Sequence, residues 1–149
     1  MNYCGHELPD IQLSKRFGRT SKRRLITCDP RLQILFSIVC DSFDCTIIEG
    51  RRDKETQDKY FREGKSKLQW PHSKHNVLES NMPSKAVDVA PYIDGKISWK
   101  TNQCYYFAGY VIKTAETLGI KIRWGGDWDS DRNVNDQSFN DLVHFELDE

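Results

Sequence analysis

Two short apolar segments of this chain each carry an ionisable side chain at their centre. Asp88 lies between two valines, and His144 lies between Val143 and Phe145. A buried carboxylate needs a cation or several hydrogen-bond donors, and a buried imidazole needs partners for its ring nitrogens. Taken alone, His144 is most simply a core histidine that bonds a backbone carbonyl. The two residues therefore require partners that only other parts of the fold can supply.

His75, in the polar segment before Asp88, is a third candidate ligand. Two imidazoles and a carboxylate suit Zn²⁺, and three protein ligands with a free fourth position are typical of a catalytic zinc site. Asp141 lies three residues before His144. In the turn before that strand it can accept a proton from a metal-activated water; an ordinary turn residue is the alternative. Arg52 can bind a substrate carboxylate or a developing oxyanion.

Local sequence patterns predict an α+β domain. Asp29 and Asp53 are typical helix N-caps, and Gly64 and Gly119 are typical residues after a helix end. We expect helices after residues 29 and 53 and a long helix from residue 101 or 102 to 118. Strands are expected at residues 45–49, 85–90 (ended by Pro91), 120–124 and 142–147. Helices and strands do not alternate strictly, so we expect a small, mainly antiparallel sheet with helices on one side.

Two segments lack periodicity. Residues 1–27 are expected to wrap the surface, and residues 65–84 are expected to form a long loop. A loop of that length in a small domain is usually functional or disordered.

Composition excludes several classes of protein. The 22 basic residues balance 22 acidic ones, so net charge gives no reason to expect a nucleic-acid partner. Mean hydropathy is -0.70, and no apolar run approaches the roughly 18 residues of a membrane span. The first ten residues lack the apolar region of a secretion signal, so we expect synthesis in a cytoplasm. The five cysteines lack CxxC spacing and indicate mostly reduced thiols.

Charge is distributed unevenly along the chain. Residues 15–24 include six basic residues and no acid, whereas residues 127–149 include eight acids and one arginine. We therefore predict a basic arm over residues 1–24 and one domain over residues 25–149. The arm is most simply solvated, and a weak electrostatic contact with an anionic surface such as a cell wall is the alternative. Nucleic-acid binding is disfavoured because no aromatic platform accompanies the arm.

Three motifs, in this order, resemble those of the M15 metallopeptidases. They are SxH at Ser73-Lys74-His75, AxD at Ala86-Val87-Asp88 and (D/E)xxH at Asp141-Leu142-Val143-His144. Gly50-Arg51-Arg52 with Gln57 is similar to the GxR…Q segment that precedes SxH. This family contains zinc DD-carboxypeptidases and L-alanyl-D-glutamate endopeptidases of the Hedgehog/DD-peptidase fold. Segments 83–92 and 124–128 are most similar to its phage endolysin branch, and the resemblance extends from about residue 20 to 147.

The resemblance implies a set of site residues. His75, Asp88 and His144 match the zinc ligands, Asp141 the catalytic carboxylate, and Arg52 the arginine that contacts substrate and oxyanion. Further substrate contacts are expected from Gln57, Ser73, Asp127 and Trp128.

The implied function is zinc-dependent hydrolysis of the peptidoglycan stem peptide by a phage or prophage L-alanyl-D-glutamate endopeptidase. Such an enzyme acts on the cell wall after release from the host cytoplasm. A D-alanyl-D-alanine carboxypeptidase and a non-catalytic, zinc-stabilised cell-wall-binding module are the alternatives. We expect a monomer with no nucleic-acid or membrane partner.

Two features depart from simple motif matches. Asp88 follows His75 at a greater distance than the family pattern SxHxxGxAxD allows, and the motif glycine is absent. We expect residues 77–82 to bulge outward as a loop, which costs little once its ends are anchored. Asp127, Asp129 and Asp131 alternate as in a calcium loop. The sixth and twelfth residues counted from Asp127 are Arg132 and Ser138, however, and an EF-hand loop has glycine and glutamate there. Solvated turn residues are therefore expected there.

Overall fold

The computed structural model of the chain describes residues 11–149 and two short N-terminal strands that pair antiparallel, β1 (Asn2–Tyr3) and β2 (His6–Glu7). The helices are α1 (Arg19–Leu25), α2 (Pro30–Ser42), α3 (Lys54–Arg62) and α4 (Thr101–Leu118). The remaining strands are β3 (Cys45–Glu49), β4 (Ala86–Ile93), β5 (Lys96–Ile97), β6 (Ile122–Trp124) and β7 (His144–Leu147). The predicted α+β class is confirmed.

The larger sheet is antiparallel throughout, with the strand order β3-β4-β7-β6, and β5 pairs with β4. Glu49 lies opposite Asp88, which in turn lies opposite His144. At this level of the sheet β3 and β6 end and β7 begins. The loops that follow β3 and precede β7 therefore meet beside these three residues.

The two faces of the sheet have different chemistry because side chains alternate along a strand. On β7, the ring of Phe145 contacts Phe36 of α2 and Phe107 of α4 edge-on, with ring centroids 5.3 and 6.2 Å apart. Val87 and Val89 of β4 belong to the same buried cluster. The helices α2 and α4 thus cover one face, as predicted, and the alternate residues of β4 and β7 face the other side.

The predicted helix boundaries are confirmed. Asp29 accepts the backbone N–H of Arg31 at 2.9 Å, and Pro30 occupies the first position of α2. Asp53 caps α3 by accepting the N–H of Thr56 at 2.8 Å. Gly119 follows α4 with φ of 73°, a left-handed conformation that favours glycine.

Pro91 does not end its strand, contrary to expectation, and β4 continues to Ile93. Proline lacks a backbone donor, but here it lies opposite Cys45, the first residue of β3, where the pairing ends. Its carbonyl accepts the N–H of Ser98 at 2.9 Å. The last two strands, β6 and β7, each begin two residues later than predicted.

The predicted boundary between residues 24 and 25 falls within α1, a helix that sequence analysis missed. Phe17 and Leu25 belong to the main core, and Ser21 Oγ accepts the N–H of Ile47 at 3.1 Å. Leu25 is the only large apolar residue of this short helix, so the sequence has no helical period to detect. Residues 1, 4, 5 and 8–10 of the predicted arm lie outside the described residues.

Four cysteines, Cys28, Cys40, Cys45 and Cys104, are buried free thiols, and Cys4 lies outside the described residues. Among the helices that the structure describes, none combines the length and apolar character needed to cross a membrane.

The stability of the fold should depend on Asp29, which also binds Lys85 Nζ at 2.8 Å and the Arg31 guanidinium at 2.9 Å. Burial alone would raise its pKa, but the hydrogen bonds from Arg31 and Lys85 hold the pKa well below its usual range. Its stabilisation is therefore complete above the unfolded pKa of about 4 and is lost as pH falls toward the folded pKa. We expect Asp29→Ala to lower the free energy of unfolding by roughly 2 kcal/mol near neutral pH.

Urea unfolding of both proteins at neutral and at acidic pH measures this difference, which should shrink in acid. Asp53→Ala is the matched control, because it removes a helix cap without a buried ion pair and should cost about 1 kcal/mol. If the loss of unfolding free energy in Asp29→Ala did not change with pH, it would contradict the stabilising role of the ionised Asp29 carboxylate.

Candidate active site and metal centre

The three predicted ligands converge on one point. His75 Nε2 lies 3.1 Å from Asp88 Oδ1 and 3.2 Å from His144 Nδ1, and the latter two atoms are 3.2 Å apart. In a tetrahedral zinc site with bonds of 2.0–2.1 Å, ligand atoms are about 3.3 Å apart. The nearly equilateral triangle of nitrogen, nitrogen and oxygen atoms therefore fits one face of such a site. This group of side chains can hold a metal ion.

Separate elements position the three ligands. Asp88 and His144 lie opposite each other on β4 and β7 and are held by the register of the sheet. His75 comes from the long loop, where its carbonyl accepts the N–H of Arg52 at 2.9 Å and its own N–H donates to Ser73 Oγ at 3.2 Å. The serine of the SxH motif therefore fixes the loop that carries the histidine.

The insertion between His75 and Asp88 does not disturb the site. Residues 78–82 are exposed, and Leu78 is 75% exposed. Lys74 holds the two ends of the loop together, since its carbonyl accepts the N–H of Lys85 at 3.0 Å and the hydroxyl of Ser84 at 3.3 Å. The loop thus lies on the surface, as expected from the sequence.

The second ring nitrogen of each histidine has a protein partner. His75 Nδ1 lies 2.7 Å from the carbonyl oxygen of Gly50, and His144 Nε2 lies 2.8 Å from Glu146 Oε1. Gly50 has no room for a side chain, because a Cβ there would lie 2.5 Å from the carbonyl oxygen of Arg24. The glycine of the GxR segment therefore lets the end of β3 pack closely against the C-terminal end of α1, while its own carbonyl binds His75.

Charges are strongly coupled in this cluster. Burial alone would raise the pKa of Asp88, but the two imidazoles lower it well below its usual range. Burial alone would lower the pKa of His144, but hydrogen bonds to Asp88 and Glu146 raise it to about 9. The metal-free site therefore favours an ionised carboxylate beside a protonated imidazole.

Arg52 lies at the edge of the ligand cluster, with NH2 3.8 Å from Asp88 Oδ2. Its Nε donates to Glu49, its NH1 donates to Gln57 Oε1 at 2.8 Å, and its guanidinium lies 4.8 Å from the centre of the Tyr60 ring. The side chain is only 8% exposed. These contacts fix the orientation of the guanidinium.

Gln57 has no exposed surface, and protein groups occupy its amide. Its oxygen accepts from Arg52, and its nitrogen donates to Ser66 Oγ at 2.9 Å and to the carbonyl of Leu68 at 2.6 Å. The structure thus places Gln57 behind Arg52, where it ties the arginine to the loop at 66–68. Its predicted contact with substrate stays a prediction.

Asp141 lies in the turn before β7, as the sequence suggested. Its N–H donates to the carbonyl of Gly125 at 2.8 Å, and its carbonyl accepts the N–H of His144 at 3.1 Å. Burial and the charge of Asp88 raise the pKa of its carboxyl, while His144, His75 and Arg52 oppose this rise. The turn therefore brings a partly buried carboxyl to the ligand cluster.

A cavity of about 550 Å³ opens onto the ligand cluster. Its lining includes Ser73, Trp128, Asp141, Arg52 and both histidine ligands. The ring of Trp128 lies 5.4 Å from the ring of His144, and its Nε1 donates to the carbonyl of Phe139 at 2.8 Å. Most of the predicted site residues thus share one cleft.

Asp127, like Gln57, does not line this cleft. Its carboxylate accepts the N–H of Arg132 at 2.9 Å and that of Asp131 at 3.3 Å, which stabilises its own loop. It lines a different cavity of about 500 Å³, next to Trp124 and Ile120. The carboxylates of Asp127, Asp129 and Asp131 lie within 4.8 Å of one another, with the last two exposed. A substrate contact of Asp127 stays a prediction.

Sequence analysis missed several residues that contact the site. Glu49 and Tyr60 hold Arg52, Glu146 binds His144, and Lys74 Nζ lies 3.4 Å from Glu146 Oε2. The sequence does contain one indication for Glu146. It lies two residues after His144, and residues two apart on a strand share a face. No comparable spacing pointed to Tyr60, which reaches Arg52 from a separate helix.

Comparisons with known proteins show the family to which this chain belongs. The family model described as phage L-alanyl-D-glutamate peptidase matches residues 13–148. The L-alanyl-D-glutamate peptidase of Escherichia phage T5 is 32% identical over 128 residues, which cover 84% of this chain and 90% of that protein. The solved structure of the Serratia marcescens L-Ala D-Glu endopeptidase ChiX has a similar fold, with a TM-score of 0.66 at 23% identity over 95% of this chain and 96% of that chain. The chain therefore belongs to the phage L-alanyl-D-glutamate peptidase family.

Proposed function

We propose that this protein is a zinc-dependent endopeptidase that cleaves the L-alanyl-D-glutamate bond in the stem peptide of bacterial peptidoglycan. One observation carries the proposal: the ligand atoms of His75, Asp88 and His144 lie 3.1–3.2 Å apart in a cleft that also contains Asp141. Family membership supports the choice of bond, since the T5 relative is named for it.

Zinc is the metal that this donor set favours. Two imidazole nitrogens and one carboxylate oxygen are borderline donors, whereas magnesium and calcium prefer an all-oxygen shell. When bound, zinc lowers the pKa of a coordinated water to about 7 and polarises a carbonyl group. Three protein ligands and the adjoining cavity suit a catalytic site better than a closed structural one.

Asp141 is the proton carrier in this proposal. Its carboxylate takes a proton from the attacking water and later donates it to the leaving amine of D-glutamate. Burial and Asp88 raise its pKa, which makes the carboxyl a better base than an exposed aspartate. A non-catalytic module would have no need of such a group beside its metal.

Arg52 stabilises negative charge at the scissile carbonyl. Its guanidinium is already oriented by Glu49, Gln57 and Tyr60, so no reorganisation is needed when an oxyanion develops. Ser73 and Trp128 line the same cleft and are expected to contact the peptide. Lys65 and Lys67 also line it, and their positive charge suits an acidic peptide.

Gly125 allows Asp141 to approach the metal centre. A Cβ on Gly125 would lie 2.2 Å from the carbonyl oxygen of Asp141 and 3.0 Å from its Cβ. Any larger residue would push the turn away from β6. The glycine therefore helps to position the proposed base.

We further propose that the enzyme acts as a monomer on the cell wall, after release from the host cytoplasm. Nucleic acids and membranes have no part in this proposal.

Digestion of purified peptidoglycan sacculi tests the function directly. Mass spectrometry should detect new peptides that begin with D-glutamate, because the bond after L-alanine is cut. A chelator should abolish the products and added zinc should restore them. Release of free D-alanine instead would favour the carboxypeptidase alternative, and binding without any product would favour the non-catalytic module.

Substitution Asp141→Asn should remove the proton carrier with almost no change in shape. We expect kcat to fall by about 10²- to 10⁴-fold, a typical loss for a general acid–base group, while zinc content stays near one ion per chain. Steady-state cleavage of a stem peptide and metal analysis check both parts. Asp58→Asn, at a half-buried position of α3 outside the lining of the cleft, is the control. An active Asp141→Asn enzyme would exclude this role.

Substitution Gly125→Ala should displace Asp141 through the close contact described above. We expect a loss of roughly 1–3 kcal/mol in the free energy of unfolding, together with a fall in kcat. Gly109→Ala is the control, because a Cβ at that position meets no atom within 4 Å and the residue lies inside α4. Chemical unfolding of both variants measures the effect. Equal free energies of unfolding for the two variants would show that the turn containing Asp141 accommodates the added methyl group without strain.

A further inference from the structure

We propose that Glu146 is a positioning residue of the metal centre, which holds the ring of His144 so that Nδ1 faces the metal. This inference rests on the proposed function, since it requires a metal ion bound by His75, Asp88 and His144. It assigns a role to a side chain that lies outside all the motifs of the sequence.

The geometry of the His144 ring leads to this assignment. Its Nε2 lies 2.8 Å from Glu146 Oε1, whereas its Nδ1 lies 3.2 Å from both Asp88 Oδ1 and His75 Nε2. An ionised carboxylate can only accept hydrogen bonds, so Nε2 must carry the proton. Nδ1 is then the ring nitrogen that is left to bind a metal once it has lost its own proton, and the ring cannot turn over without losing the Glu146 contact.

The fold holds Glu146 firmly in place. It lies two residues after His144 on β7 and therefore on the same face of the sheet, and it is only 7% exposed. Its partner across the strands is Ala86 of β4, whose small side chain leaves space for it. Lys74 Nζ and Arg123 NH1 lie 3.4 and 3.9 Å from Glu146 Oε2. These cations compensate for the buried negative charge.

The two histidine ligands differ in how they are held. The acceptor for His75 is the backbone carbonyl of Gly50, which no side-chain substitution removes. The acceptor for His144 is a charged side chain, and a carboxylate partner makes an imidazole a stronger metal ligand than a neutral carbonyl does. Metal affinity should therefore depend on the Glu146 side chain.

A purely structural ion pair is the competing explanation for Glu146. Asp148 provides a matched control for it, because its Oδ1 binds the same Arg123 side chain at 2.9 Å. Asp148 lies beyond the end of β7 and shares this cation with Glu146. Removal of its charge perturbs the same ion-pair network but leaves the contact of His144 intact.

The test compares zinc affinity of the full-length wild type, Glu146→Gln and Asp148→Asn by competition with a chromophoric chelator. Glutamine keeps the shape of Glu146 but can turn either its oxygen or its nitrogen toward Nε2, so the proton position is no longer fixed. We expect Glu146→Gln to bind zinc about 10- to 100-fold more weakly and Asp148→Asn to bind like the wild type.

Two results would overturn the inference while the proposed function stands. One is wild-type zinc affinity in Glu146→Gln, and the other is an equal loss in both variants, which would point to charge alone. A wild-type protein that binds no zinc would overturn the proposed function and this inference together.

A second measurement does not depend on the folding of any variant. The ¹⁵N NMR spectrum of the zinc-loaded wild type reports which ring nitrogen of His144 carries the proton. We expect a protonated Nε2 and a metal-bound Nδ1, and the reverse assignment would overturn the inference.

Discussion

The carboxylate of Asp88 is the group on which the rest of the site depends. It lies on a central strand between Glu49 of β3 and His144 of β7. A charge at such a position is stable only if cations or hydrogen-bond donors surround it. His75, His144 and Arg52 supply these from three separate parts of the chain. The fold cannot enclose Asp88 without assembling the site, so folding and site formation are coupled.

The two faces of the sheet separate stability from chemistry. Phe145 and Leu147 of β7 are fully buried in the core, and each such side chain contributes roughly 1.5–3 kcal/mol. His144 and Glu146 alternate with them on the other face. The apolar face can thus offset the cost of keeping several charges close together on the polar face. The same alternation gives the ligands a rigid support, while the loops carry His75 and Asp141.

Sequence reasoning could bring together the three candidate metal ligands and Asp141, because each lies in a short motif with an informative spacing, and the structure places the three candidate ligand atoms close enough to hold a metal ion. It could not assign Gln57 or Asp127, since spacing does not show whether a polar side chain faces the cleft, another side chain or its own loop. It also missed α1, where Leu25 is the only large apolar residue. These features depend on contacts between distant segments, and a shift of one residue on a strand reverses the face of every side chain.

A proton and a metal ion compete for the same atom of this site. Without a metal, Asp88 and Glu146 raise the pKa of His144 to about 9, and the protonated ring balances part of the negative charge. A divalent cation held by His75, Asp88 and His144 would take the place of that proton and neutralise the same carboxylates. Metal binding at this group would then release a proton, and metal affinity would fall as pH decreases, because a ligand nitrogen has to be unprotonated. The acidic groups that favour a protonated His144 are thus the ones that would favour a metal ion in its place.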